Sequence, residues 1–326
     1  MNKVIILIPV KDTSYFYECL LSLKAQTFKD FLVLVVNDAK TKEAINICEE
    51  FSDLNIEILH LKKNYGVGHA RKEGLEFIYE KHSDIPYLMF LDADDMLSPN
   101  AIEEAYHAAI KSESDMVLFD YYGNDYLFEI DQNFTFEPGQ IIFDKIIKID
   151  FLKQNDINFL PLKVEEDLSF NLLLNNINPS VFHYNQILYY HRYHIKSLTY
   201  EYMVNNNLII EKQKNIINAF YQTFQNIKEK EQHIHINNCF AFIESCYDSY
   251  EILFNLNEVD SKIEEQIKYI FSLTEIQSLL QQFTTIILND YNVLPIKQFF
   301  YQNNERLFWY KETFYQWCLK FGIDLK

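Results

Sequence analysis

Asp92-Ala93-Asp94-Asp95 places three carboxylates within four residues, directly after the apolar run Leu88-Met89-Phe90-Leu91. Carboxylate oxygens are hard donors that suit Mg2+ or Mn2+, often with a phosphate sharing the ion. An apolar strand that delivers acids to its C-terminal end puts them where open α/β sheets bind ligands. In a chain with 47 acidic residues an Asp-x-Asp pair says little alone; its position after a strand gives it meaning. Glycine makes a second cluster. The chain holds six glycines, and Gly66, Gly68 and Gly74 fall within residues 64–74. Such clustering implies a tight turn or a close approach of backbone to something else. The segment follows a strand and opens a helix, whose free N–H groups and positive dipole end suit phosphate. A third group, Glu165-Glu166-Asp167, precedes an apolar helical stretch, where the helix dipole favours negative charge.

The elements that must carry these groups alternate. Apolar, β-branched runs predict strands at Val4–Val10, Phe31–Val36, Ile56–Leu61, Tyr87–Leu91 and Met116–Phe119. Helical periodicity predicts helices at Tyr15–Ala25, Lys42–Phe51, 67–81 and from Ser98-Pro99 to about Lys111, with Ser98 as cap and Pro99 at the first helical position. Strands buried on both faces and separated by helices make an α/β fold, a mostly parallel sheet flanked by helices. Residues 121–200 read as mixed, with a helix near 140–149 and a strand at Val181–Tyr190. Residues 201–326 read as helical, with one glycine and one proline. This gives a domain at 1–200, divided near 120, and a helical C-terminal subdomain at 201–326.

A net charge of −18 argues against a nucleic-acid partner, which needs a basic face. It is compatible with an anionic substrate whose charge is met by a metal ion. Five scattered cysteines without Cys-x-x-Cys spacing suggest reduced, buried thiols rather than zinc ligands or a disulfide framework. With no signal-like leader and no apolar run of spanning length, the expected location is cytoplasmic.

Several segments, taken in order, resemble the inverting GT-A glycosyltransferases of family 2. They are Ile8-Pro9-Val10-Lys11-Asp12, Leu20-Leu21-Ser22-Leu23 with Gln26-Thr27-Phe28, Val35-Val36-Asn37-Asp38, the Gly66-x-Gly68-x-Ala70-Arg71 stretch, and Phe90–Asp95 with Pro99. The likeness is close over residues 3–120. It thins towards Thr199 through Glu165-Glu166-Asp167 and Arg192-Tyr193-His194-Ile195-Lys196-Ser197. It implies a GT-A fold and an inverting transfer from a nucleotide sugar, most simply UDP-linked. The acceptor would be a glycan or lipid-linked glycan of bacterial lipopolysaccharide or capsule.

The resemblance also implies roles. Asp38 would accept a hydrogen bond from uracil, Pro9 and Lys11 would line the nucleotide cleft, and Arg71 would face the nucleotide or its phosphates. Asp94 would ligate Mn2+ or Mg2+, with Asp92 on the ribose or on the ion through water. His194 would complete the metal shell or meet the diphosphate, with Arg192 and Lys196 adding positive charge, while His191 packs. Asp167 would be the base, with Glu166 as its competitor. Lys72 and Asp12 stand where the family commonly has asparagine.

Two other readings remain. A sugar nucleotidyltransferase would open with a glycine-rich basic loop after the first strand, where this chain has Pro9-Val10-Lys11-Asp12-Thr13-Ser14. A catalytically dead glycan-binding or scaffold module would not need Asp92, Asp94 and Asp167. His233-x-His235 reads as helix surface. The aromatic, locally basic stretch 296–321 suits either a peripheral membrane contact or a helical core or oligomer contact, packing being the commoner use of such stripes.

Overall fold

The computed structural model describes residues 2–38, 42–123, 126–128, 141–192, 194 and 205–280. The aromatic stretch 296–321, Tyr193 and residues 195–200 lie outside them. Residues 1–205 and 206–326 form two compact units.

In the first unit, β1 (Val4–Val10), β2 (Phe31–Asn37), β3 (Ile56–His60) and β4 (Tyr87–Phe90) run parallel in the order β3-β2-β1-β4. β1 and β2 are buried along their whole length, which is why they read as unbroken apolar runs. Alternate β1 residues serve opposite faces. Ile6 and Ile8 pack with Phe16, Leu20 and Leu23 of α1 (Phe16–Lys24) and Ala44 of α2 (Lys42–Glu50). Leu7 faces α3 (Val67–Lys81) on the other side. There a Cβ on Gly74 would lie 2.7 Å from Leu7 Cδ1 and 2.9 Å from Val36 Cγ2, so glycine lets α3 lie directly on the sheet.

Beyond β4 the sheet is mixed. β5 (Met96–Leu97) leads to α4 (Ala101–Ser112), β6 (Met116–Gly123), β7 (Tyr126–Phe128), β8 (Lys145–Lys148), α5 (Ile149–Gln154), α6 (Glu166–Asn176) and β9 (Val181–His191). Among the described residues nine strands form one sheet, β3-β2-β1-β4-β8-β6-β9-β5, with β7 beside β6. β8 is antiparallel to both β4 and β6, and β9 runs parallel to β6.

Two local expectations are corrected. The helix near 140–149 is strand β8 followed by α5. Its isoleucines have helical spacing, but Ile146 and Ile147 are fully buried between two neighbouring strands, where β-branched side chains fit best. Helix α4 starts at Ala101, with Asn100 as its N-cap. Ser98 and Pro99 form the preceding turn because their carbonyls accept from Gln26 Nε2 (2.7 Å) and Thr27 N–H (2.8 Å).

The second unit contains α7 (Asn206–Glu229), α8 (Ile236–Asn255) and α9 (Ser261–Phe271), packed around Phe220, Phe224, Phe242 and Phe271. Asp260 caps α9 by accepting from Ile263 N–H at 3.0 Å. His233 and His235 lie in the turn between α7 and α8 rather than on a helix face. His235 is the N-cap of α8, and His233 pairs with Glu275 at 3.3 Å.

Candidate active site

The C-terminal ends of β1, β2 and β4 and the start of α3 meet at one edge of the sheet. Asp38, at the end of β2, is buried, and its two oxygens accept the N–H groups of Tyr65 (3.0 Å) and Gly66 (3.1 Å). Asn64 adds a contact to Gly66 N–H at 3.0 Å. Asp38 therefore anchors the glycine turn that opens α3, and these backbone donors already hold the oxygens expected to meet uracil. Gly66 has φ +99°, which a side chain would strain.

Arg71 is the electrostatic centre. Where the resemblance implied that it faces the nucleotide or its phosphates, the structure shows it 3% exposed and bonded to three carboxylates. Nη2 donates to Asp92 Oδ1 at 2.6 Å, and Nη1 donates to Glu166 Oε1 at 2.7 Å and Asp167 Oδ1 at 2.6 Å. Burial alone would lower its basicity, but Asp167, Asp92 and Glu166 more than offset this and raise it, so the guanidinium stays charged. Burial pushes the Asp167 carboxyl well above the usual carboxylate range, against the pull of Arg71 and with further push from Glu166 and Asp92. Glu166 is raised for the same leading reason.

α6 reaches Arg71 because position 68 is glycine. A Cβ there would lie 2.9 Å from both Glu166 Cβ and Leu162 O. Gly68→Ala should push the start of α6 off α3 and cost about 1–3 kcal/mol, measurable by denaturant unfolding.

The Asp92–Asp95 turn closes with Asp95 N–H donating to Asp92 O at 3.1 Å. Asp94 is 41% exposed at its side chain, and its Oδ2 lies 2.9 Å from His194 Nε2. His194 packs on Tyr15 (4.9 Å between centroids), and Arg192 lies over the same ring at 4.5 Å while its Nε donates to Asp94 O at 2.9 Å. Asp94 and His194 thus form an oxygen–nitrogen donor pair at the surface, and Asp92 turns the other way, to Arg71. Among the described residues no group of three or more acidic, His or Cys side chains forms a metal cage. The pair nevertheless fits Mg2+ or Mn2+, which commonly take one or two protein donors and complete their shells with substrate phosphates and water.

Residues 5–157 match the family model described as Glycosyl transferase family 2. This segment is a glycosyltransferase family 2 domain. It shares 31% identity, over 37% of this chain, with glycosyltransferase GlyA of Streptococcus pneumoniae, the match spanning 17% of GlyA. Poly(ribitol-phosphate) beta-N-acetylglucosaminyltransferase TarS of Staphylococcus aureus is 28% identical over 53% of this chain and 32% of TarS. The matches thus span less than half the length of these curated relatives.

In structure, TarS 1–349 in complex with UDP-GlcNAc aligns with TM-score 0.60 and 20% identity, over 87% of this chain and 81% of that one. A mannosyltransferase from Pyrobaculum calidifontis in complex with GDP-Man and Mn2+ aligns with TM-score 0.51 and 12% identity, over 85% and 82%. The fold is the GT-A fold that the motifs implied.

Within the family 2 domain, Pro9 is buried in β1 opposite Val36, and Lys11 is exposed just beyond the strand. His191 packs as expected, its ring stacked on Phe143 at 5.5 Å. Three residues at the site were not singled out in the sequence. Tyr15 seats His194 and Arg192. Lys145, 2% exposed on β8, donates to Ile141 O at 2.8 Å, pairs with Asp144, and lowers the proton affinity of Asp167 slightly. Tyr189 supports the Asp92–Asp95 turn from below.

Proposed function

We propose that the chain is an inverting glycosyltransferase that moves a sugar, a hexose or N-acetylhexosamine, from a UDP-sugar to a hydroxyl of a bacterial surface glycan or its lipid-linked precursor. The observation that carries this reading is that one buried arginine binds both Asp167, at the start of α6, and Asp92, on the same turn as Asp94, which itself meets His194. The UDP-GlcNAc complex of TarS supports the choice of donor.

Inversion needs one displacement, with the acceptor hydroxyl attacking the anomeric carbon from the face opposite the diphosphate. Asp167 takes the hydroxyl proton as the new C–O bond forms and UDP leaves with the electron pair of the old one. Asp94 and His194 would hold Mn2+ or Mg2+, which offsets charge on the departing diphosphate when bound. Pro9, Lys11 and the Asp38-anchored turn bound the nucleotide side, and Asp92 serves the ribose. No described helix is long and apolar enough to cross a membrane. On this reading the enzyme works at the cytoplasmic face, where its acceptor is built.

The test is UDP release from a panel of UDP-sugars with Mn2+ or with EDTA. Mn2+-dependent release from one sugar is expected. Failure to bind any nucleotide would favour the scaffold reading. Asp94→Ala should lower Mn2+-dependent release more than the roughly 10–100-fold typical of outer-shell metal partners. Unchanged turnover in that variant would remove Asp94 from the metal.

A further inference from the structure

The Asp92–Asp95 turn is held from beneath by β9, a strand that ends about a hundred residues later in sequence. Tyr189 is fully buried, with its ring stacked on Phe143 at 4.2 Å and 11°. Its hydroxyl accepts from Asp92 N–H at 3.2 Å and donates to Asp95 Oδ2. The other Asp95 oxygen accepts Arg192 N–H at 2.7 Å. Asp95 is 1% exposed, so it faces the protein interior, whereas Asp94, one residue earlier, faces outward to His194. The three acids of the turn therefore point three ways: Asp92 to Arg71, Asp94 to His194, Asp95 to Tyr189.

We propose that Tyr189 and Asp95 are a buried latch that aims Asp94 and Asp92, so that Tyr189 is a positioning residue for metal and donor binding and Asp95 is an anchor rather than a ligand. The physical reason is directional. One phenol OH fixes the backbone at the start of the turn and the side chain at its end, and it can do so only by accepting at one and donating to the other. Three carboxylates this close repel one another, and a buried donor to the third draws it inward, leaving Asp94 turned to His194 on the partly exposed side. The inference rests on the donor reading above, which gives Asp94 and Asp92 their work.

The test is Tyr189→Phe, which keeps the ring and its stack and removes only the hydroxyl. Calorimetry with UDP, with and without Mn2+, is read beside turnover. The latch predicts an apparent Mn2+ dissociation constant, measured with UDP present, raised about 10–100-fold. It also predicts a loss of metal-free UDP affinity, through Asp92, clearly smaller than the loss of Mn2+ affinity, and kcat largely recovered at saturating Mn2+. Asp95→Asn, which keeps an acceptor oxygen for the phenol, should bind Mn2+ better than Tyr189→Phe does. The double variant should fall short of the sum of the two single effects, because both act through one contact. A Tyr189→Phe protein that binds Mn2+ as wild type does overturns the latch. So does one that loses metal-free UDP affinity and kcat in equal measure, the pattern of general structural damage. If the wild type binds neither UDP nor Mn2+, the donor reading fails first and takes the latch with it; if the wild type binds both, the variant judges the latch alone.

Discussion

Arg71→Met is expected to abolish measurable transfer and to destabilise the first unit by about 3–5 kcal/mol, the usual cost of stranding the partners of a buried ion pair. Three carboxylates depend on this guanidinium, at 2.6, 2.7 and 2.6 Å, in surroundings that leave it 3% exposed. Without it Asp92, Glu166 and Asp167 have no ion-pair partner among the described residues. They must take up protons or separate, and either change spoils donor and base positions together. Arg71→Lys separates charge from geometry. A lysine keeps the charge, but its compact ammonium cannot present two nitrogens in a fixed fork, one to Asp92 and the other to Glu166 and Asp167. It should therefore fold, by denaturant unfolding, with a midpoint between those of wild type and Arg71→Met. UDP release should still fall by about a hundredfold, the scale of an ångström-level misplacement. Near-normal release in Arg71→Lys would mean that the charge alone matters and the fork does not.

The hub also shows what the sequence could and could not reveal. β1 to β4 and α3 are legible because their signals are local: uninterrupted β-branched runs, then a helical period after a glycine turn. Asp92 and Asp94 are legible because they stop such a run. The glycines announce close approaches, and the structure shows what approaches: Leu7 and Val36 at Gly74, Glu166 and Leu162 O at Gly68. The identity of that neighbour was not in the local pattern. An arginine on a helix is a surface residue until another element covers it, and α6, about a hundred residues on, is what buries Arg71. Strand β8 was masked by helical spacing among its isoleucines, which only pairing with β4 and β6 overrides. Tyr189 reads as an ordinary packing aromatic of a strand. Its hydroxyl acquires a task only where β9 passes under the turn 97 residues away in sequence.

Asp167→Asn is expected to keep UDP and Mn2+ binding and to lose transfer by roughly 10²–10⁴-fold, the range for removing a general base. The change is nearly isosteric, and the amide oxygen can still accept from Arg71, so α6 should stay seated. Glu166 is the competing acid; Arg71 Nη1 holds one oxygen of each, but Glu166 is 7% exposed against 21% for Asp167 and so is less open to an acceptor hydroxyl. Glu166→Gln should therefore cost less transfer than Asp167→Asn; the reverse order would assign the base to Glu166.

The pH profile gives an independent sign. A base works as its carboxylate, and burial raises the Asp167 carboxyl well above the ordinary value of 3.8. Transfer by the wild type should therefore fall on the acid side at a pH distinctly above that of a free aspartate. For stability the same shift acts the other way. The folded state holds the Asp167 proton more tightly than the unfolded chain, so this group's contribution is full below the unfolded value and is lost as pH rises through the folded one. Arg71 pulls the Asp167 carboxyl down, so Arg71→Lys, with a less well-placed charge, should move the acid limb of transfer to still higher pH. A limb that stays at the pH of an exposed aspartate in both proteins would show that Asp167 is not the group whose ionisation controls transfer.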